Sequence, residues 1–427
     1  MWQNCREYRL AEVELGFSPS YSLEMGPLLG DGTLQCAVAH PSGALLHVIN
    51  HDGSILWTTE LANHDTVGVT PVLVADVDGD GECEVAIGEH PEGENNVLLF
   101  DRTGKVKRRI KLPLGTEDET GTTVDSLALA DIDGDGTKEL VAAVNGGCIY
   151  GLDPSGDIML EVRGLPPFFE HFLHAGDIDL DGCDELFISG GAKIGGDSPT
   201  NHPLFFALDQ DGTTLWARAI NEIGPDGHVD YAIIKDFYGS GEAAVFSATG
   251  GCLLDPHGHE LWSVRDTINH GQWADSRKAR QDRTGDQILL SELWNWNYGM
   301  LLLNNDGEIL WTYDALTDRT LPTHARFIDW LGDGVQCAIL GEQPERDVYR
   351  PIEIKAVVLD PMGEVAVQIP FWDVRHEGWV YCCENQAMAG DIDGDGDLDI
   401  ITANGGQDRI YRNDGAARFD DVTYDLL

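Results

Sequence analysis

One acidic motif, repeated along the chain, limits what this protein can fold into. In its clearest copy, at 131–139, three aspartates alternate with other residues, a glycine follows, and a glutamate is the ninth residue. Oxygen ligands spaced by two, with a glycine that permits a sharp turn, suit a hard cation such as Ca²⁺. An EF-hand would place a bidentate glutamate at position twelve, but Ala142 lies there and a β-like apolar run surrounds it. The motif therefore predicts a calcium loop between two strands.

Four copies of this motif are complete, with an acidic residue at positions one, three, five and nine. They predict up to four structural Ca²⁺ sites. Degenerate copies near 31, 240, 280 and 333 lack most of these ligands, and we expect them to turn without a metal; the copy near 280 is interpreted as a stretched loop over 275–285. The predicted metal ligands are Asp76, Asp78, Asp80, Glu84, Asp131, Asp133, Asp135, Glu139, Asp177, Asp179, Asp181, Glu185, Asp391, Asp393, Asp395 and Asp399.

A second motif alternates with the first. An apolar run, a short turn that ends in glycine and a second apolar run, often with Leu-Trp near its start, recur eight times. Turn glycines between apolar runs predict β-hairpins. Eight loops and eight hairpins share 427 residues, or about 53 residues per unit, which is near the period of a four-stranded propeller blade.

These repeats predict an all-β fold, an eight-bladed β-propeller of four-stranded antiparallel blades. Eight blades are favoured over seven, and a propeller over a β-solenoid, whose repeats are shorter and lack such hairpins. Residues 1–427 would form a single propeller domain, in which hairpins join strands C and D of each blade. The acidic motifs would join strands A and B, near 31, 80, 135, 181, 240, 280, 333 and 395.

Charge and composition exclude several classes of partner. The net charge is −47 and only 8 residues are lysines, so we expect no binding to nucleic acid. No apolar run is long enough to span a membrane. Nine cysteines without zinc-type spacing are predicted to be reduced, small hydrophobic residues. Together with the absence of a signal peptide, they predict a cytoplasmic protein, or a secreted one if a leader has been removed.

Polar aromatic residues collect where strands A begin, on the face opposite the calcium loops. Counting back five residues from the first loop position gives Tyr231, His270 and His324 in three successive blades. Residues two apart share a side of a strand, so Arg326 joins His324. Two roles are possible for these residues. The histidines either act in catalysis or binding, or are ordinary hydrogen-bonded residues of the channel. The tryptophans either bind substrate or pack between blades. The predicted substrate-binding residues are His174, His171, Trp294, Trp296, Tyr298, Arg350 and Trp379.

Two stretches resemble known families. Residues 390–423, which include Ile-Tyr-Arg-Asn-Asp-Gly-Ala-Ala-Arg-Phe, resemble an FG-GAP/VCBS repeat, which builds propellers in integrin α chains, secreted binding proteins and polysaccharide lyases. Residues 270–275, 288–293 and 298–300 resemble parts of the eight-bladed, calcium-dependent rhamnogalacturonan lyases. The extra β-domains typical of those lyases have no room in this chain. The resemblance implies Ca²⁺ dependence and an acidic poly- or oligosaccharide as partner.

Two functions stay open. The favoured one is an enzyme, a carbon–oxygen lyase that cleaves a uronic-acid-containing, rhamnogalacturonan-like glycan by β-elimination. His270 and His324 would be the base and acid, with Tyr231 as an alternative proton donor, and Arg326, Arg350 or a Ca²⁺ would neutralise the substrate carboxylate. The alternative is a non-catalytic, calcium-stabilised propeller that binds carbohydrate or protein.

Overall fold

The structure is a computed structural model, and the residues it describes form the strands of a repeating fold. They are 22–40, 45–51, 54–62, 71–91, 93–113, 123–144, 147–165, 173–190, 204–219, 231–268, 271–292, 299–313, 320–329, 334–344, 353–372, 386–391, 399–403, 409–413 and 419–421.

Thirty-two β-strands and no α-helix are found among the described residues. They form eight four-stranded sheets, and each sheet pairs its strands A to D in chain order. Sheet 1 is β1 (Ser22–Gly26), β2 (Gln35–His40), β3 (Leu45–Ile49) and β4 (Ile55–Glu60). Sheet 2 is β5 (Val72–Ala75), β6 (Glu84–Glu89), β7 (Asn95–Phe100) and β8 (Val106–Leu112). Sheet 3 is β9 (Val124–Ala130), β10 (Glu139–Val144), β11 (Cys148–Leu152) and β12 (Ile158–Val162).

The remaining sheets repeat the same order. Sheet 4 is β13 (Leu173–Gly176), β14 (Glu185–Gly190), β15 (Leu204–Leu208) and β16 (Thr214–Ala219), and sheet 5 is β17 (Ala232–Lys235), β18 (Ala244–Ser247), β19 (Cys252–Leu254) and β20 (Glu260–Ser263). Sheet 6 is β21 (Gly271–Arg277), β22 (Gln287–Glu292), β23 (Met300–Leu303) and β24 (Ile309–Tyr313). Sheet 7 is β25 (Thr320–Asp329), β26 (Gln336–Pro344), β27 (Glu353–Leu359) and β28 (Val365–Trp372), and sheet 8 is β29 (Gln386–Gly390), β30 (Asp399–Ala403), β31 (Arg409–Asn413) and β32 (Phe419–Asp421).

Strand A is the innermost strand of each sheet. Successive strands A contact one another, as β9 does β13, β13 does β17, and β17 does β21. The charge of Arg326 on β25 also acts on Glu24 of β1, so strands from sheets 1 and 7 lie close enough to interact electrostatically. Sheets arranged in this way around strand A form a propeller. The predicted all-β propeller of four-stranded antiparallel blades is confirmed.

The hydrophobic core lies between neighbouring sheets rather than within one. Strands B and C are buried along their whole length in sheets 2 and 3, whereas strand D of sheet 2 exposes alternate residues. One apolar cluster joins Val97 and Leu99 of sheet 2 to Leu140 and Tyr150 of sheet 3. Sheets 2 and 3 therefore bury both faces of strands B and C, which explains their continuous apolar runs.

The C–D hairpins connect one sheet to the next. In sheet 6 the turn ends at Gly307, whose φ of +86° suits glycine, and a side chain there would meet the Trp262 ring of sheet 5 at 2.9 Å. The Trp262 indole N–H donates to the carbonyl of Asn305 in the same turn at 2.8 Å. This contact explains the recurrent Leu-Trp signal. The same ring-on-glycine contact is made by Trp57 on Gly104, Trp216 on Gly258 and Trp311 on Gly363.

In sheets 1 to 5 the A–B loops lie where the acidic motifs predicted them, and sheet 6 is an exception. There Arg277 pairs with Gln287, so strand A runs through Asp275 and the loop begins at Lys278. The predicted loop start at 275 is wrong, because Ala274 and Ser276 are buried and maintain the alternation of a strand. None of the described cysteines forms a disulfide bond. No helix in the described part of the chain is long and apolar enough to cross a membrane.

Candidate functional site

The acidic loops share one backbone arrangement. In sheet 3, Asp131 accepts the N–H groups of Gly134 and Gly136 at 2.9 Å each, one on each carboxylate oxygen. Glu139 accepts the N–H of Ile132 at 3.0 Å. Both glycines have positive φ, which lets the chain fold back over the first aspartate. The turn thereby aims several carboxylates at one point.

Three described loops bring acidic ligands together as predicted. In each, carboxylate oxygens from positions one, three and nine lie within 4.8 Å of one another. The position-five aspartates are more peripheral and each accepts the backbone N–H two residues on. In the fourth predicted loop, Asp391 is described, whereas Asp393, Asp395 and the side chain of Asp399 lie outside the described residues. The three groups are Asp76, Asp78 and Glu84; Asp131, Asp133 and Glu139; and Asp177, Asp179 and Glu185.

The sheet 4 loop fits a hard cation. Glu185 is fully buried, and its Oε1 has no hydrogen-bond partner. Burial, with the neighbouring charges of Asp179, Asp181 and Asp177, raises the pKa of Glu185 to about 7. A buried carboxylate oxygen that lacks a partner beside other carboxylates is a costly arrangement unless a cation satisfies it. An all-oxygen donor set of this kind suits Ca²⁺.

A second cluster lies in the channel, on strands A of sheets 4, 6 and 7 and directly before strand A of sheet 5. The His174 and Tyr231 rings meet edge to face, with centroids 4.5 Å apart. Tyr231 stacks on Trp273 with centroids 3.8 Å apart and planes inclined by 29°. The Arg326 guanidinium lies over Trp273, 5.0 Å from the ring centroid, a cation–π geometry. We call these four residues the channel cluster.

Burial controls the protonation of the channel cluster. It lowers the pKa of His174 to about 4, so this imidazole is neutral near pH 7. It raises the pKa of Tyr231 to about 12, a shift that Arg326 opposes and that Asp275 and Glu24 reinforce. Burial also raises the pKa of Glu24, again against the charge of Arg326. The cluster thus presents a protonated phenol, a neutral imidazole and a guanidinium within one charged environment.

Three of the predicted site residues meet here, and one member was missed. Tyr231, Arg326 and His174 were predicted, whereas Trp273 was not. The same counting rule identifies Trp273 once the loop start is corrected. Five residues before Lys278, where the loop begins, lies Trp273 rather than His270. The side chain of His324, on β25, is outside the described residues, as are His270, His171, Trp294, Trp296, Tyr298, Arg350 and Trp379.

The comparisons with known proteins agree with this architecture. Residues 76–142, which span the acidic loops of sheets 2 and 3, match the FG-GAP-like repeat family. The protein is thus a β-propeller in which residues 76–142 match an FG-GAP-like repeat. No curated protein sequence matches the chain significantly.

The solved structures that superpose on this chain belong to differently named proteins. A rhamnogalacturonan lyase of Bacillus licheniformis superposes with a TM-score of 0.56 at 17% identity, over 91% of this chain and 71% of the lyase. Sqt1 of Saccharomyces cerevisiae gives a TM-score of 0.56 at 11% identity, over 94% of this chain and 98% of its own. BamB of Moraxella catarrhalis gives 0.53 at 15% identity, over 90% and 94%. At these identities the similarity establishes the fold alone.

Proposed function

We propose that this propeller binds an acidic, uronic-acid-containing oligosaccharide at the channel mouth where strands A begin, and cleaves it by β-elimination. The observation that carries the proposal is the contact of Tyr231, Trp273 and Arg326 on three adjacent strands A. An aromatic face suits the apolar face of a sugar ring, and a guanidinium suits a carboxylate. The similar fold of a rhamnogalacturonan lyase supports the choice of substrate class.

The reaction needs three things from the protein. A base removes the proton at C5, a positive group stabilises the charge that develops on the uronate carboxylate, and an acid protonates the leaving oxygen as the C4–O bond breaks and a C4–C5 double bond forms. Arg326 is the candidate for the second role. Tyr231, which keeps its proton up to about pH 12, is the candidate acid. His324 and His270 remain the candidate bases.

Calcium enters the proposal as a structural ion. The carboxylates of the sheet 3 and sheet 4 loops would hold it on the A–B face, away from the channel mouth. Bound there, it would neutralise repulsion between carboxylates and stabilise the loops. The proposed chemistry at the channel mouth then belongs to side chains alone.

The decisive experiment measures unsaturated products. Purified protein with Ca²⁺ is incubated with rhamnogalacturonan, polygalacturonate and other uronate polymers, and ultraviolet absorbance of the new double bond is followed. We expect product from one of them, and a loss of about 100-fold or more in kcat/KM for Arg326→Met and Tyr231→Phe. Arg277→Met is the matched control, because Arg277 is an exposed arginine at the other end of the neighbouring strand A. The absence of product from every polymer would contradict the lyase.

A non-catalytic binding propeller is the second candidate, and one observation favours it. Tyr231 is held between the edge of His174 and the face of Trp273, so its ring already packs against protein on two sides. Such a layer can be a binding surface or a channel core. Binding of a uronate oligosaccharide by the wild-type protein without any product, and with unchanged affinity in Tyr231→Phe, would favour this candidate over the lyase.

A further inference from the structure

The acidic loop of sheet 2 already contains a cation of its own. The Lys107 ammonium nitrogen lies 2.9 Å from Asp78 Oδ2, 2.6 Å from Asp80 Oδ2 and 2.9 Å from Glu84 Oε1. These carboxylates come from positions three, five and nine of the loop, the positions predicted to hold a metal. One ammonium therefore contacts three of the four acidic groups.

This contact differs from an ordinary surface ion pair. Two of the three carboxylates are withdrawn from solvent, with side-chain exposures of 1% for Glu84 and 9% for Asp78, whereas Asp80 is 45% exposed. Lys107 itself is 28% exposed. The ammonium thus lies among three carboxylates, as a bound cation would.

The neighbouring loops have no such lysine. Lys107 lies on strand D of sheet 2, six residues after Asp101, which is the first residue of the C–D turn. The residue at the same offset is Met159 in sheet 3 and Leu215 in sheet 4, and both are exposed, at 41% and 43%. The nearest lysine in sheet 3, Lys138, pairs with Asp184 instead of a position-three or position-nine carboxylate.

We propose that Lys107 is the built-in counter-cation of the sheet 2 loop, which closes without a metal, whereas the loops of sheets 3 and 4 take a hard divalent cation. The unpartnered Glu185 Oε1 of sheet 4 supports the second half of this statement. In sheet 2 the Asp78 Oδ1 is also buried without a partner, so removal of the ammonium leaves a donor set that a cation can enter. The protein therefore binds fewer ions than it has acidic loops.

The test counts bound Ca²⁺ and is independent of any glycan. Equilibrium dialysis followed by metal analysis gives the number of ions per chain in wild type, Lys107→Met and Met159→Lys. Methionine is the substitute because sheet 3 uses it at this position. We expect Lys107→Met to bind one ion more than wild type. Met159→Lys, which copies the sheet 2 arrangement into sheet 3, is expected to bind one ion fewer.

Lys111→Met is the control, because Lys111 lies on the same strand and pairs only with the exposed Glu94 among the described residues. Its ion count is expected to equal that of wild type. An unchanged count in a folded Lys107→Met protein would overturn the proposal. If Lys107→Met does not fold even with Ca²⁺, Met159→Lys decides: a count one lower supports the proposal, and an unchanged count overturns it.

Discussion

The A–B loops of sheets 2 to 4 and those of sheets 5 and 6 make similar turns with different chemistry. Asp131 in sheet 3 and Asp236 in sheet 5 both accept the N–H of the glycine five residues on, at 2.9 Å and 2.6 Å. Sheet 5 then has Tyr238 and Ala244 where the acidic loops have carboxylates at positions three and nine. In sheet 5 the turn therefore forms around the first aspartate without the other carboxylates of the acidic loops.

Sheet 6 shows how a loop is held without a metal. Gln287 replaces the ninth-position glutamate and accepts the N–H groups of Ala279 and Arg280 at 3.0 and 2.7 Å. The adjacent Asp286 pairs with Lys235 of sheet 5 at 2.5 Å. A neutral amide thus makes the backbone contacts of the glutamate, and protein groups replace an ion. Basic Lys235, Arg277 and Lys278 also line a polar depression on this face.

The largest expected effect concerns the tight loop of sheet 6. Gly285 has φ +66°, and a Cβ there would lie 2.5 Å from the carbonyl oxygen of Phe237 and 2.0 Å from Asn305 Nδ2. Gly136, in the sheet 3 loop, also has positive φ but nothing within 4 Å. We expect Gly285→Ala to lower the free energy of unfolding by roughly 3–5 kcal/mol, and Gly136→Ala by about 1–2 kcal/mol, since only the former adds a clash to the backbone strain. Urea unfolding measures both, and equal losses would mean that the two loops are not held differently.

The second prediction separates the turn from the metal. Asp131→Asn and Asp236→Asn both replace a first-position carboxylate with an amide. Of the two aspartates, only Asp131 lies in a group of acidic ligands. With Ca²⁺ at about 100 times its Kd, a single site adds about 2.7 kcal/mol of stability. The quantity to compare is the free energy of unfolding in Ca²⁺ minus that in EDTA. We expect this difference to be smaller in Asp131→Asn than in wild type by about the contribution of one site. Asp236→Asn should retain the whole difference, and an equal loss in both variants would contradict the distinction.

The third prediction concerns pH dependence in EDTA. The pKa of Glu185 is raised to about 7, so the folded protein holds this proton more tightly than the unfolded chain, whose carboxyl has an ordinary pKa near 4.5. Its contribution to stability is complete below about pH 4.5 and is lost as the pH rises through about 7. Glu185→Gln copies Gln287, can keep the bond to the Ile178 N–H, and is expected to flatten this part of the pH profile. A profile unchanged from wild type would count against the raised pKa.

Much of the architecture could be predicted from local sequence alone. Aspartates spaced by two with glycines, and turns that end in glycine, encode their own backbone conformations, so they located A–B loops and C–D hairpins throughout the chain. Their alternation was enough to predict four-stranded blades. The same motif also identified the three groups of carboxylates that meet within 4.8 Å.

The candidate site was only partly predictable, and sheet 6 shows why. Its strand A continues through Asp275, so a count from that residue selected His270 and missed Trp273. The error arose because Lys278 and Arg280 occupy the first and third positions of this loop, so the acidic residues that mark the beginning of the acidic loops are absent there. Strand pairing across the sheet, which involves Gln287 ten residues away, determined the register instead.

Contacts between distant residues were decided by the tertiary structure. Lys107 is 23 residues from Glu84 and carries no motif, yet antiparallel pairing of strands B, C and D brings its ammonium into the acidic loop. Tyr231, Trp273 and Arg326 meet because three separate strands A line one channel. Local turn chemistry thus specified the repeats, because each turn satisfies its own backbone. Only the assembled propeller determined which charged and aromatic side chains from different repeats are neighbours.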